Sequence, residues 1–298
     1  MSEIGSGLWQ AILRLENGPL EPFIDLFDPD AAGLSVFETE LDNPEAGWTI
    51  TALFRSKPDE GSLTARLALA SAAYGLPEPA LELAKLPPAD WLTKAYAGFP
   101  ARNIGRFHVH GSHLPAPKGG LIGLRIDAAT AFGSGEHQTT EGCLLALSDL
   151  ARRQPAVSRA LDMGAGSGIL AIAIAKLFPQ AEVKAVDIDA ESAKVAAANA
   201  RLNQVADVIR VAQGRGYASP LAAQGRKFDL IIANILARPL VAMAPSLSRR
   251  LAEGGTAILS GLLRRQEPAV LAAHLQAGLK LIGRRRIGEW STLTMRQR

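Results

Sequence analysis

Cysteine is nearly missing from this chain: Cys143 is the single thiol among 298 residues. One cysteine excludes an intrachain disulfide and a cysteine-rich zinc site. It sits in the apolar stretch CLLAL, so it is expected to pack in a core and not to act as a nucleophile. Aromatic residues make up only 5% of the chain, which leaves few platforms on which nucleic-acid bases can stack. No apolar run approaches the roughly 20 residues of a membrane helix, so no membrane partner is expected. The start, MSEIGSGLWQ, lacks a basic segment followed by an apolar one, so no secretory signal is read there and a cytoplasmic location is expected. Internal repeats and low-complexity tracts are absent too.

What remains is ordinary for a globular protein, with 48% hydrophobic and 20% charged residues. The net charge of +3 hides an asymmetry: residues 1–100 carry −9 and residues 101–298 carry +12. Opposite signs on two halves suggest different partners, and an acidic module steers a basic protein towards itself.

The first part of the chain reads as a small α+β module. LWQAILRL (8–15), SVFETEL (35–41) and GWTITALFR (47–55) suit strands, EPFIDLF (21–27) and SLTARLALASAAYG (62–75) suit helices, and Gly75 followed by Pro77 closes the second helix. The order strand–helix–strand–strand–helix–strand is that of a ferredoxin-like unit, assigned to residues 1–86. Pro87-Pro88, Pro115, Pro117 and Gly119-Gly120 mark residues 87–120 as a linker region. Residues 121–298 then alternate strands and helices: RALDMG, VKAVDI, DVIRVAQ, FDLIIAN and GTAILSGLL, closed by a hairpin over 279–298. That order implies an α/β domain with a doubly wound parallel sheet, to which the hairpin adds an antiparallel strand.

The most informative stretch is SRALDMGAGSGILAIA (158–173). A short apolar run ends at Asp162, and Gly164, Gly166 and Gly168 follow at alternate positions before a helix. Glycines there let backbone approach a ligand, and the N–H groups of the helix start face its polar end. Dinucleotide sites use G-x-G-x-x-G. Here the order is D-x-G-x-G-x-G, the pattern of S-adenosylmethionine sites. Asp187, 19 residues past Gly168 at the end of the second strand, is placed to accept both ribose hydroxyls, and Asp189 to cap the next helix. FGSGEHQTTEGCLLAL (132–147) reads as a loop running into a helix, with Thr139 or Thr140 as N-cap and a threonine hydroxyl on the methionine end of the cofactor. His137 is read as a base, a hydrogen-bond donor or a packed loop residue. No Cys or Asp/Glu cluster accompanies it, so no metal is expected. Asn234, after the fourth strand, both accepts and donates hydrogen bonds and is placed to orient an amine towards a methyl group; its other reading is an Asx turn.

Together these blocks resemble the bacterial ribosomal protein L11 methyltransferases (PrmA). The resemblance runs from about residue 90 to the C-terminus, on DW (90–91), FGSGEHQTT (132–140), LDMGAGSGILAIAIAKL (161–177), VDID (186–189), ANILARPL (233–240), SGLL (260–263) and EW (289–290). It departs at Ser134 and Ala165, where the family usually has threonine and cysteine. Residues 1–85 resemble the family only in size and strand order. The resemblance implies a seven-stranded, Rossmann-like class I methyltransferase domain behind a small substrate-recognition domain. It further implies S-adenosyl-L-methionine as cofactor and methylation of lysine side chains and an N-terminal amine of L11, free or on the ribosome. Cofactor contacts are expected at Thr139, Thr140, Gly164, Gly166, Gly168, Asp187 and Asn234, with Asn234 also positioning the amine. Related enzymes methylate lysines of the electron-transfer flavoprotein beta subunit. Two readings from other classes stand beside this one: a nicotinamide oxidoreductase, and an RNA- or ribosome-binding module built on Arg249-Arg250, Arg264-Arg265 and Arg284 to Arg286.

Overall fold

The computed structural model describes residues 9–16, 19–27, 30–31, 33–40, 43–54, 56–85, 101–112, 114–115, 117, 119–126, 138–153 and 156–298. The chain divides into two compact units, Met1–Trp91 and Leu92–Arg298.

In the first unit the elements run β1 (Trp9–Leu15), α1 (Glu21–Asp25), β2 (Gly33–Glu40), β3 (Asn43–Phe54), α2 (Glu60–Tyr74) and β4 (Leu81–Lys85). They form an antiparallel sheet in the order β2-β3-β1-β4. That element order with that strand order is the ferredoxin-like fold. Period-two burial selects its inner face: Ala11, Leu13 and Leu15 from β1, and Ile50, Ala52 and Phe54 from β3. Phe23, Phe27, Leu63 and Leu67 join them in the core, where the Phe27 and Phe54 rings meet edge to face with centroids 6.3 Å apart. Helix α2 is bounded by local chemistry. Asp59 accepts from Ser62 N at 3.2 Å to cap its start, and Gly75 ends it in the left-handed region.

Among the described residues of the second unit, a three-stranded sheet comes first in the chain, β5 (Arg102–Ile104), β6 (Phe107–His110) and β7 (Ile122–Arg125). Residues 102–110 thus carry strands within the stretch read from sequence as linker. Their apolar residues Ile104, Phe107 and Val109 are buried with Leu124 in the core of this unit. Three short strands amid prolines and glycines give too brief an apolar alternation to be read as sheet.

The main sheet has seven strands: β8 (Arg159–Met163), β9 (Glu182–Asp187), β10 (Ile209–Gln213), β11 (Phe228–Asn234), β12 (Leu251–Leu263), β13 (Leu279–Ile287) and β14 (Trp290–Gln297). Their order is β10-β9-β8-β11-β12-β14-β13, parallel from β10 to β12, with β14 antiparallel to both its neighbours. Helices α3 (Gln138–Arg153), α4 (Ile169–Leu177) and α5 (Ala190–Leu202) contribute to one core cluster. Helices α6 (Pro220–Ala223), α7 (Ala237–Arg250) and α8 (Glu267–Gln276) contribute to another. Burial from two sides explains why β8 reads as a continuous run, with all five residues buried. The strand order reverses between β8 and β11, and the crevice at the carboxyl ends of those strands is where such sheets bind ligands.

The arginine runs that suggested a nucleic-acid surface make contacts within the fold. Arg284 and Arg286 pair with buried Glu267, Arg285 with Asp149, and Arg264 with Glu289. Arg250 donates to the carbonyls of Ala222, Gln224, Gly225 and Arg226.

Candidate active site

The glycine loop leaves β8 at Met163 and enters α4 at Ile169, and Gly164, Gly166 and Gly168 all have positive φ. At Gly164 the requirement is also spatial: a Cβ there would lie 2.2 Å from Ile235 Cγ2. The loop is held from β9. Gly164 N and Ala165 N donate to Val186 O at 2.8 and 3.2 Å, and Gly166 N donates to Asp187 Oδ2 at 2.8 Å.

Asp187 therefore does more than was read from sequence. Its Oδ1 also accepts from Asp189 N at 2.9 Å, so both oxygens brace backbone. Each carboxylate oxygen has a second lone pair, so the group retains acceptor capacity for hydroxyls. Asp189 caps α5, accepting from Ser192 N at 2.9 Å.

Asp162, which closes the apolar run in the sequence, is the most perturbed carboxyl of the site. It is fully buried. Its Oδ2 accepts from Ala171 N at 2.9 Å, supplying a bond that Gly168, at the N-cap, cannot. Its Oδ1 is buried with no hydrogen-bond partner. Burial pushes the carboxyl up to about 7; the charge of Asp187 adds to that, and the Ala171 N–H opposes it. The first acidic position of D-x-G-x-G-x-G was the signal that could have singled it out.

Asn234 ends β11, in register with Ser260 of β12. Its Nδ2 donates to Thr140 Oγ1 at 3.4 Å, and its Oδ1 is buried without a partner. Thr139 and Thr140 lie inside α3, not at its N-cap, and both are buried. The cap reading fails because the helix already includes Gln138, which places both threonines in the turn that faces the sheet. Glu141 stands in that first turn as expected. Gly133, Gly135 and His137 lie outside the described residues. Cys143, one turn on, is buried and free, and burial raises its thiol well above the usual range. Among the described residues no group of three or more His, Cys, Asp or Glu is placed to hold a metal.

The site thus brings together four separate segments: Thr140 of α3, Asp162 with the glycine loop that follows it, Asp187 of β9 and Asn234 of β11. Two buried acceptors, Asp162 Oδ1 and Asn234 Oδ1, have no hydrogen-bond partner among the described residues. A buried acceptor without a donor is costly, and a cationic or N–H-bearing ligand relieves it.

Comparison with known proteins decides the class. Residues 28–298 match the family model described as ribosomal protein L11 methyltransferase (PrmA). The chain belongs to that family. The ribosomal protein L11 methyltransferase of Bradyrhizobium diazoefficiens is 41% identical over 274 residues, covering 91% of this chain and 89% of that protein. The one of Rhizobium meliloti is 43% identical over 256 residues, 86% of each. Among solved structures, the ribosomal protein L11 methylase of Lactobacillus delbrueckii subsp. bulgaricus aligns with a TM-score of 0.57 at 34% identity, covering 67% of this chain and all of that one. The protein is accordingly an S-adenosylmethionine-dependent methyltransferase of the L11-modifying family, not a nicotinamide enzyme. The family match also reaches back to residue 28, well before the point near residue 90 where the motifs begin. Among the described residues no helix is long and apolar enough to cross a membrane.

Proposed function

We propose that this methyltransferase modifies amines of ribosomal protein L11, lysine side chains and the N-terminal amine, and that Asn234 orients the amine for attack. The observation that carries this reading is the buried carboxamide of Asn234, with one end on Thr140 and the other unpartnered, at the strand-order reversal. A free carbonyl oxygen there accepts from an amine N–H and leaves the nitrogen lone pair directed away from it.

The residues suit the cofactor. Asp187 would take the ribose hydroxyls through its remaining lone pairs, the loop Gly164–Gly168 would admit the chain between ribose and methionine, and Thr139 and Thr140 would meet the methionine end. Asp162 would meet the ammonium, which supplies the donor that its Oδ1 lacks. When bound, S-adenosylmethionine supplies a methyl group on a positively charged sulfur, ready for in-line displacement by a neutral amine. The protein's work is then to present the amine neutral and aimed. A lysine of ordinary pKa near 10.4 is neutral about once in 10³ at pH 7. A desolvated site next to a positive charge disfavours the ammonium and raises that fraction. Orientation by Asn234 supplies most of the remaining rate, and the released proton passes to water.

Residues 1–86 serve as the substrate-recognition domain in this reading and residues 121–298 as the catalytic domain, the core of which strands β5 and β6 join. The −9 balance of residues 1–100 supports the docking of a basic protein. The reaction belongs in the cytoplasm, where ribosomal proteins meet the ribosome. The test is direct. L11 is incubated with the enzyme and S-adenosylmethionine, and intact-mass and peptide mass spectrometry locate the added methyl groups. Methyl groups on lysines or on the N-terminal amine are expected; an L11 mass that does not change refutes the proposal.

A further inference from the structure

The motif SGLL at the end of β12 contains a break in the sheet. Leu259 pairs with Leu293 and Leu262 with Ser291, so Ser260 and Gly261 together face Thr292. Two residues opposite one is a β-bulge, a device that re-aims a side chain beside a site. Gly261 makes it possible. Its φ is +83°, and a Cβ there would lie 2.4 Å from Ile235 O and 2.8 Å from Ile235 N. The bulge thereby lies directly against the residue after Asn234, and Ile235 N donates to Ser260 O at 3.1 Å.

The Ser260 hydroxyl is fully buried and crowded with partners. It lies 2.9 Å from Thr292 Oγ1 and 3.3 Å from both Thr139 O and Ser291 O. With one proton to give, it donates to a carbonyl and accepts from Thr292. The Cys143 thiol also lies close to it. Thr292 in turn sits where a Cβ on Gly142 would be 2.2 Å from its Oγ1. One turn of α3, residues 139 to 143, thus rests on the Ser260–Thr292 hydroxyl pair. Thr140 in that same turn holds Asn234, at 3.4 Å. A contact that long is at the limit of hydrogen bonding, so a shift of a few tenths of an ångström breaks it.

We propose that Ser260 is a positioning residue for methyl transfer, holding the first turn of α3 so that Thr140 keeps the Asn234 carboxamide aimed at the amine. This rests on the reading that Asn234 orients the amine. The test uses the full-length protein with S-adenosylmethionine and L11. Ser260→Ala should lower kcat about tenfold or more, while the Kd for S-adenosylmethionine changes by less than about threefold. Thr292→Val should do the same, and Thr292→Ser should restore most of the rate. In an Asn234→Ala background, Ser260→Ala should cost nothing further, because it acts through Asn234. The side-chain amide resonance of Asn234, with S-adenosylhomocysteine bound, should shift in Ser260→Ala and Thr292→Val, and this readout needs no turnover. A folded Ser260→Ala protein with wild-type kcat and an unmoved resonance overturns the proposal. So do additive losses with Asn234→Ala. If Asn234→Ala alone keeps wild-type kcat, the reading beneath fails instead, and the resonance still reports whether Ser260 sets the carboxamide.

Discussion

Asp162→Asn separates what this carboxyl does to the fold from what it does for the ligand. Burial, with the charge of Asp187, raises it from 3.8 to about 7 in the folded chain, against the Ala171 N–H that opposes the rise. A carboxyl raised on folding favours the folded state when protonated. That contribution is whole below about pH 4, declines as pH rises through the interval to 7, and is gone above it. The full span, from 3.8 to about 7, corresponds to about 4 kcal/mol. Asparagine has nearly the same shape, keeps an acceptor for Ala171 N and does not titrate. The stability of the variant relative to wild type should therefore climb by about 1.4 kcal/mol per pH unit between 4 and 7, then level off. In a unit of this size 1 kcal/mol moves Tm by about 2–4 °C, so the gap should widen by roughly 5–10 °C from pH 5 to 7. Thermal melts of ligand-free wild type and variant at pH 5, 6, 7 and 8 measure it. A gap constant across that range refutes the reasoning. The same carboxyl should couple binding to protons. Near pH 6 a cationic cofactor binding beside a protonated Asp162 expels its proton. Calorimetry in buffers of different ionisation heat should show that release in wild type and not in Asp162→Asn, whose affinity should be weaker.

Four other outcomes are expected. Asp187→Ala should weaken S-adenosylmethionine binding by about 1.5–3 kcal/mol through lost charge-assisted hydrogen bonds; an unchanged Kd by calorimetry would leave the residue only its loop-bracing role. Asn234→Ala should lose turnover much further than cofactor affinity, and equal losses in single-turnover rate and binding would make it a mere cofactor contact. Gly164→Ala forces a Cβ to 2.2 Å from Ile235 Cγ2 at a φ of +77°, at a cost of about 1–3 kcal/mol from backbone strain alone; a variant with wild-type melting and affinity contradicts that. Methylation of L11 at subsaturating concentration should slow between about 50 and 300 mM salt as the Debye length shortens, and a rate indifferent to salt counts against electrostatic docking.

The parts of this structure legible in the sequence are those set by local periodicity and by spacing. Strands β8, β9 and β11 are apolar runs that carry Asp162, Asp187 and Asn234 at or next to their carboxyl ends, and a parallel sheet brings such ends to one edge. Gly75 and Asp189 act as the helix boundaries their types suggest. What was illegible depends on partners far along the chain. The bond between Asp162 and Ala171 spans a turn, but the burial of the other oxygen is a property of the packed core. Ser260 gains meaning only when Thr139, more than a hundred residues earlier, comes within 3.3 Å of it. The misplaced N-cap has the same origin. Thr139 and Thr140 look like capping residues, yet both are buried against the sheet, and tertiary packing overrides the local preference.

The polar groups of the site fall into two sets with different physical tasks. Asp187, Asp189 and the Ser260–Thr292 pair are hydrogen-bonded within the protein and fix the glycine loop, α5 and the first turn of α3. Asp162 Oδ1 and Asn234 Oδ1 are buried without partners among the described residues. An unsatisfied buried acceptor costs about 1–3 kcal/mol, more when it is ionised. That cost is removed when a donor arrives, so the protein alone is less stable than its packing allows and the complex recovers the difference. The first set makes the geometry rigid before binding. The second makes binding specific, because a ligand without N–H groups at those two points leaves both oxygens orphaned. On this argument, S-adenosylmethionine should raise Tm through both its ammonium and its ribose, whereas an analogue lacking the amino group should lose the contribution that depends on Asp162. Comparing the two ligands on wild type and Asp162→Asn forms a double-mutant cycle in which one arm is chemical. A coupling energy near zero between the amino group and Asp162 would remove the carboxyl from the ligand's first contacts and leave it a helix-capping residue.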